Sequence, residues 1–268
     1  MTMQVISLKG NNMKSLFRPQ EVVEVFHMLF LQKLGKGIPA TSYAVKGGCN
    51  LRFILGSPRM SEDLDIDIHQ VAKHTLQKQM ARIVEKELAQ PLNAWNIKIH
   101  EQTAPKQTDT VQRWKITLLA LGERVPTKIE FSRRNFQQPA TDSIQTHLLE
   151  KYGLPGFAVS HYASVAALKQ KLRALAGRPA TQARDVFDIV YLLETGARVE
   201  NIAAETAQKA LANLSTLTFK DYASQVLPYL DSAPASQEDI EAVWERMLAQ
   251  VAGAIDAIPK TEIEREEA

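Results

Sequence analysis

The run Asp63-Leu64-Asp65-Ile66-Asp67-Ile68 alternates acid and aliphatic without a break, which is the two-residue period of a β-strand. On such a strand the acids share one face, with neighbours about 6.6 Å apart, twice a rise of about 3.3 Å per residue. Like charges at that spacing repel, so a buried face needs them protonated or neutralised. An oxygen-only donor set suits Mg²⁺ or Mn²⁺ rather than zinc. In Lys128-Ile129-Glu130-Phe131, Glu130 alternates with apolar neighbours, so Asp63, Asp65 and Glu130, from two strands, would hold two hard cations. The competing reading is an edge strand whose acids keep its outer face in water.

Upstream, Tyr43-Ala44-Val45 runs into Lys46-Gly47-Gly48. A glycine pair after a strand lets backbone approach a ligand closely and can present N–H groups to phosphate. The G-x-x-x-x-G-K-[ST] pattern of a P-loop is absent. Downstream, Lys169, Lys171, Arg173, Arg178 and Arg184 follow His161 with no acid before Asp185, the most lopsided charge in the chain. Such a stretch can be a solvated helix face. Beside a carboxylate–metal site, its cations would instead bind triphosphate oxygens and offset the charge on departing pyrophosphate. Asp185 and Asp188 lie three apart, on one helical face, and Arg184-Asp185 alone would be a surface pair contributing about 0–1 kcal/mol. His69 and His161 are isolated and read as structural or surface residues; Trp95, Trp114 and Trp244 read as core or interface anchors.

These residues need elements to position them. Val22, Val23, Phe26, Leu29, Phe30 and Leu34 recur at helical spacing between Pro19 and Gly35, predicting an amphipathic helix ahead of the first strand. Asn50 to Leu55 reads as a short helix or strand before the turn residues Gly56, Ser57 and Pro58. A helix is predicted over Thr75–Leu88, closed by Pro91. Strands follow over Trp95–His100, Val111–Leu121 and Val125–Phe131, with a shorter one over Ile144–Leu149. From Ser160 the signals are helical: Ser160–Leu175, Thr181–Glu194, Val199–Leu211, Lys220–Leu227 and Ser236–Val251. The split falls near Gly153–Phe157, giving an α+β chain with a mixed sheet and flanking helices over 1–155 and a helical domain over 156–268. The tail after Pro259, with Glu262, Glu264, Glu266 and Glu267, is expected to fray.

A chain of 268 residues has length for one large or two medium domains. Its 45% apolar and 23% charged content excludes collagen-like and largely disordered classes. With 32 basic and 30 acidic side chains, the overall field gives no argument for a polyanion partner; local clustering must supply it. Cys49 is the single cysteine, so no internal disulfide forms, which fits a reducing compartment. Met1–Ser15 is polar, without a signal peptide's apolar core, and Val22–Leu34 is too short and too charged to span a membrane. A cytoplasmic protein without membrane contact is expected.

Lys46-Gly47-Gly48-Cys49-Asn50-Leu51, followed by Arg59, Ser61 and Asp63-Leu64-Asp65, resembles the motif of the AbiEii/AbiGii-type nucleotidyltransferase toxins. These are the toxin halves of type IV toxin–antitoxin and abortive-infection systems, within the DNA polymerase β-like superfamily. The resemblance continues in Lys171-Leu172-Arg173-Ala174-Leu175 and in Arg184-Asp185-Val186-Phe187-Asp188, spanning about residues 43–195; residues 200–268 match no motif. Cys49 stands where the family more often has a small hydroxyl residue. The resemblance implies a nucleotidyltransferase fold over 1–155, with the helical domain lending Lys and Asp to the cleft. It implies metal-dependent transfer of a nucleoside monophosphate from a nucleoside triphosphate to an acceptor, which in relatives can be the 3′ end of tRNA; a protein or small-molecule acceptor is the open alternative. Asp63, Asp65, Glu130, Lys171 and Asp185 would carry catalysis, with Mg²⁺ or Mn²⁺ on Asp63, Asp65 and Glu130. Lys46, Gly47, Gly48, Ser61, Lys171 and Asp188 would bind the nucleotide, and a separately encoded antitoxin would be the partner. The rivals are an inactive nucleotide- or RNA-binding module, and a kinase-like or aminoglycoside-modifying phosphotransferase on the same scaffold.

Overall fold

Two apolar clusters organise the chain. One lies under a mixed sheet and the other among the helices that follow it. The structure, a computed structural model, describes residues 18–120, 122–231 and 237–261. The polar stretch Met1–Ser15 and the acidic residues Glu262, Glu264, Glu266 and Glu267 lie outside them.

Helix α1 (Pro19–Leu34) precedes β1 (Tyr43–Lys46), α2 (Gly47–Phe53) and β2 (Asp63–Ile68). Next come α3 (Lys73–Ala81), a π-helical segment Arg82–Glu87, α4 (Ala89–Asn93), β3 (Lys98–Gln102), β4 (Lys106–Gln107), β5 (Val111–Ala120) and β6 (Glu123–Ser132). β7 (Ala140–Ser143), α5 (Thr146–Lys151) and β8 (Ala158–His161) complete the sheet region. The helical part comprises α6 (Ser164–Gly177), α7 (Ala183–Glu194), α8 (Ala204–Leu214), α9 (Phe219–Gln225) and α10 (Gln237–Ala257), with short strands β9 (Ile202–Ala203) and β10 (Lys260–Thr261) pairing in parallel. The main sheet runs β3-β5-β6-β2-β1-β8-β7, with β4 also on β5. β2–β6 and β1–β8 are parallel and the other pairs antiparallel, so the sheet is mixed.

Alternation decides which face of the sheet is buried. Leu64, Ile66 and Ile68 of β2, Ile129 and Phe131 of β6, and Trp114, Ile116 and Leu118 of β5 pack onto α1 and the α3–α4 region. The intervening polar positions face the other way.

Several expectations need correction. α1 is buried nearly all round rather than along one stripe, and its polar groups are met individually. Glu24 accepts from Arg52 Nε (2.6 Å) and the Tyr152 hydroxyl (2.6 Å), and His27 Nε2 pairs with Thr127 Oγ1 (2.8 Å). Pro91 does not close the preceding helix; it sits in the first turn of α4, where a missing N–H costs no helical bond. Ile144–Leu149 is not a strand: the strand is Ala140–Ser143, and α5 follows because Leu148 and Leu149 are buried on one side of a short helix. Ser160 begins no helix either. Residues 158–161 form β8, so the sheet takes a strand from beyond residue 155. Hydrogen bonds to the sheet hold Ser160 and His161 there, and α6 starts at Ser164.

Candidate active site

β1 delivers the chain to Gly47, whose φ of 66° lies in the left-handed region, where a side chain is strained. A Cβ at Gly47 would sit 3.2 Å from Asp65 Oδ2, and one at Gly48 would sit 2.7 Å from Ser61 Oγ. Both glycines are therefore needed so that the β1–α2 turn can lie against β2. Ser61 Oγ donates to the Asp63 carbonyl (3.0 Å), and Cys49 Sγ donates to the same oxygen (3.2 Å). The thiol thus performs the anchoring expected of a small hydroxyl, and burial pushes its pKa well up.

Register assembles a charged row across four strands. Lys46 lies opposite Asp65, Asp65 opposite Glu130, and Glu130 opposite Arg113. A second row places Asp63 against Lys128 and Lys128 against Lys115. Direct cross-strand neighbours of opposite charge stabilise one another. Arg113 grips Glu130 Oε2 through Nε (2.6 Å) and Nη2 (2.5 Å), and Lys128 Nζ lies 2.8 Å from Asp63 Oδ2. Asp67, the third acid of β2, turns to Lys46 Nζ (2.5 Å) and accepts from the Tyr162 hydroxyl (2.9 Å). Burial, then the charges of Glu130 and Asp63, push the Asp65 carboxyl above the ordinary carboxylate range. Lys128 and Lys46 oppose the rise without cancelling it.

The far wall comes from α6, α7 and the loop before β2. Arg59 grips Asp188 with Nε to Oδ1 and Nη2 to Oδ2, both 2.9 Å. Lys171 bridges Asp185 Oδ1 (2.9 Å) and Asp188 Oδ2 (2.6 Å), and Arg178 Nε lies 2.7 Å from Asp185 Oδ2. Neither aspartate has any exposed surface. Burial opposes every charge here, yet the pairing prevails: Asp188 is held below the ordinary carboxylate range and Lys171 above the ordinary lysine value. The 200s contribute as well. Met60 N donates to Tyr229 O (2.8 Å), Asp231 N donates to Pro58 O (3.2 Å), and Arg59 bridges to Leu230 in antiparallel fashion.

Between these walls lies a cleft of about 280 Å³ lined by Lys46, Gly47, Gly48, Arg59, Ser61, Asp63, Asp65, Arg113, Lys128, Glu130, Lys171, Arg178 and Arg184. Every predicted site residue except Asp185 and Asp188 is on its surface; those two lie beneath it and hold Lys171 and Arg59. Arg113 and Lys128 were missed as site residues: Lys128 stands two positions before Glu130 in the sequence, whereas Arg113 reaches Glu130 only through the β5–β6 register. Seven cations against three carboxylates suit a polyphosphate. A larger cavity, about 740 Å³, opens on the opposite side between α3–α4 and β3–β5, but Glu85 is its lone carboxylate, so size does not select it.

The donor set fits a hard divalent cation in its chemistry: Asp63, Asp65 and Glu130 offer only oxygen, and burial with the neighbouring acids keeps the Asp65 carboxyl raised despite Lys128 and Lys46. In this arrangement Lys128 and Arg113 neutralise the other two, and no three His, Cys, Asp or Glu side chains among the described residues converge to enclose an ion.

The fold is shared with solved structures. MenT4, a nucleotidyltransferase toxin of Mycobacterium tuberculosis, aligns with a TM-score of 0.63 at 15% identity, covering 93% of this chain and 91% of that one. JHP933 of Helicobacter pylori aligns with a TM-score of 0.54 at 18% identity, covering 90% and 94%. Comparison with curated proteins gives no match. The family model described as nucleotidyl transferase AbiEii toxin, type IV toxin–antitoxin system, matches residues 29–263. That span takes in the glycine turn, the acidic strand, the Arg59–Lys171 wall and the segment at 229–231 that steadies it, and so the chain belongs to the AbiEii nucleotidyltransferase toxin family.

Proposed function

We propose that this chain transfers a nucleoside monophosphate from a nucleoside triphosphate to a hydroxyl at the 3′ end of tRNA, and that a separately encoded antitoxin restrains it. The observation that carries this reading is the row Lys46–Asp65–Glu130–Arg113 facing Arg59 and Lys171 across one small cleft. Asp63, Asp65 and Glu130 are the residues that would hold Mg²⁺ or Mn²⁺. When bound, such a cation neutralises phosphate oxygens and stabilises the attacking and leaving oxygens of an in-line displacement.

The protein's own groups do the rest. Gly47, Gly48 and Ser61 present a surface that triphosphate can approach closely. Lys46, Arg59, Lys171, Arg178 and Arg184 offset charge on the outer phosphates. Asp185 and Asp188 fix Lys171 and Arg59 in place. Arg113 claims only Oε2 of Glu130, and Glu130 takes the proton from the acceptor hydroxyl. The oxygen–α-phosphorus bond forms, the α–β anhydride bond breaks, and pyrophosphate leaves. All of this chemistry is available without a membrane, and no helix among the described residues is long and apolar enough to cross one.

Incubating purified protein with Mg²⁺, total tRNA and each α-labelled nucleoside triphosphate tests the reading. Label is expected on tRNA with wild type and not with Asp65→Ala. Equal labelling by the two would defeat it, as would retention of γ-label instead of α-label, which would select kinase chemistry.

A further inference from the structure

The face of the sheet that carries the catalytic row does not end at the cleft. Register continues it across β6, β5, β3 and β4. Arg113 opposes Lys106, Lys128 opposes Lys115, and Arg124 opposes Leu119, which in turn opposes Lys98. Directly opposed residues share a face, so Lys98, Lys106, Lys115, Arg124, Arg113 and Lys128 all project from the same side. Rows recur every two residues, about 6.8 Å, so the strip from the Arg113 row to the Lys98 row is about 20 Å long.

Lys98, Lys106, Lys115 and Arg124 are exposed, and none joins an ion pair among the described residues. Outside the cleft, the acid sharing this face in the paired strands is Glu101, opposite Thr117. The chain as a whole is nearly neutral, so this strip is charge gathered onto one surface. Its aromatic content is equally one-sided. Trp114 and Phe131 lie on the buried face, and no Phe, Tyr or Trp projects from the open face of β3, β5 and β6 among the described residues. Single-strand binding relies on rings that stack bases; a surface of cations without rings contacts phosphates alone, as base-paired RNA allows.

We infer that the open face of the β5–β6 hairpin docks the phosphate backbone of a base-paired RNA arm whose 3′ end enters the cleft. This deepens the proposed function and rests on its reading of the acceptor as RNA. Charge complementarity selects the occupant, and continuity of one sheet face from Arg113 to Lys98 supplies the path.

The test uses the full chain and its double variant Lys98→Glu/Arg124→Glu, with Lys98→Gln/Arg124→Gln as a milder control. None of these residues lines the cleft. Filter binding of labelled deacylated tRNA, and of a blunt RNA duplex, is measured over a salt series beside binding of an α-labelled nucleoside triphosphate. The glutamate variant is expected to bind tRNA and duplex at least about tenfold more weakly. In the glutamine variant the slope of log K against log salt should fall by about one per contact removed. Melting temperature and nucleotide binding are expected to stay at wild-type values. RNA binding equal to wild type in both variants would overturn the inference. So would unchanged RNA binding accompanied by loss of inhibition by a co-produced protein, which would assign the face to that protein. Salt-dependent RNA binding that needs these cations, in a protein that labels no RNA, would defeat the acceptor chemistry while leaving the docking face in place.

Discussion

Asp65 is where placement and charge conflict most. Its carboxyl is pushed above the ordinary range by burial, then by Glu130 and Asp63. An acid whose folded pKa is raised contributes stability that is present below its unfolded value of about 4 and lost as pH rises through the raised one. At pH 7 this carboxyl therefore costs the fold stability. Asp65→Asn is expected to raise Tm in metal-free buffer at pH 7, by roughly 2–4 °C for each kcal/mol relieved in a chain of this size, while abolishing transfer. The gap should close as pH falls towards 4, and added Mg²⁺ should narrow it by stabilising wild type alone. Scanning calorimetry of both proteins checks this; a lower Tm for the variant would refute it. Asp63, Asp65, Glu130 and the glycine pair were legible in the sequence because alternation and a Gly-Gly turn are local signals. The partners that set their charge depend on register: Arg113 meets Glu130 across the β5–β6 hairpin, and Lys128 meets Asp63 between strands far apart in sequence, a pairing that no single segment encodes.

At the scale of elements, α6, α7 and the loop before β2 are joined by Arg59, Asp188, Lys171 and Asp185. Removing one member of a buried ion pair strands its partner and costs about 3–5 kcal/mol. Asp188→Ala is expected to lose that much in urea unfolding and to reduce transfer, because Arg59 and Lys171 lose their common anchor. A loss below about 1 kcal/mol would show that the network is not coupled to folding. The motif pair Lys171 and Asp185-Val186-Phe187-Asp188 was visible in sequence; that the second aspartate holds Arg59 from 129 residues away was not. Elements with a clean period were also readable: β2, α7 and the β5–β6 pair. The stretch from Ala140 to His161 was not. β7 has no buried alternating face to announce it, and Leu148–Leu149 sits in too short a helix to show a period.

Across the whole molecule, one buried histidine links stability to pH. His27 lies fully buried between α1, α2 and β6, pairing with Thr127 and Cys49, and burial pulls its pKa down to about 3. A histidine whose folded pKa is depressed stays neutral in the fold while the unfolded chain takes up a proton below about 6.5. Its contribution is full above 6.5 and is lost as pH falls towards 3, at up to about 1.4 kcal/mol per pH unit. His27→Gln should flatten this slope between pH 6.5 and 4.5; urea titrations of both proteins at several pH values would show it, and parallel slopes would exclude the role. The sequence put the change from sheet to helices near Gly153–Phe157, whereas β8 still pairs in the sheet beyond it, and it gave no reason to connect residues beyond 200 to the site. Tyr229 and Asp231, on either side of Leu230, nevertheless hydrogen-bond the loop that bears Arg59, and Asp231 also meets Arg52, the partner of Glu24 in α1. These few residues act as a clasp fastened to both lobes. Severing the chain ahead of them would free the Arg59 loop as well as the final helix, so the sheet and its helical companion stand or fall as one working unit.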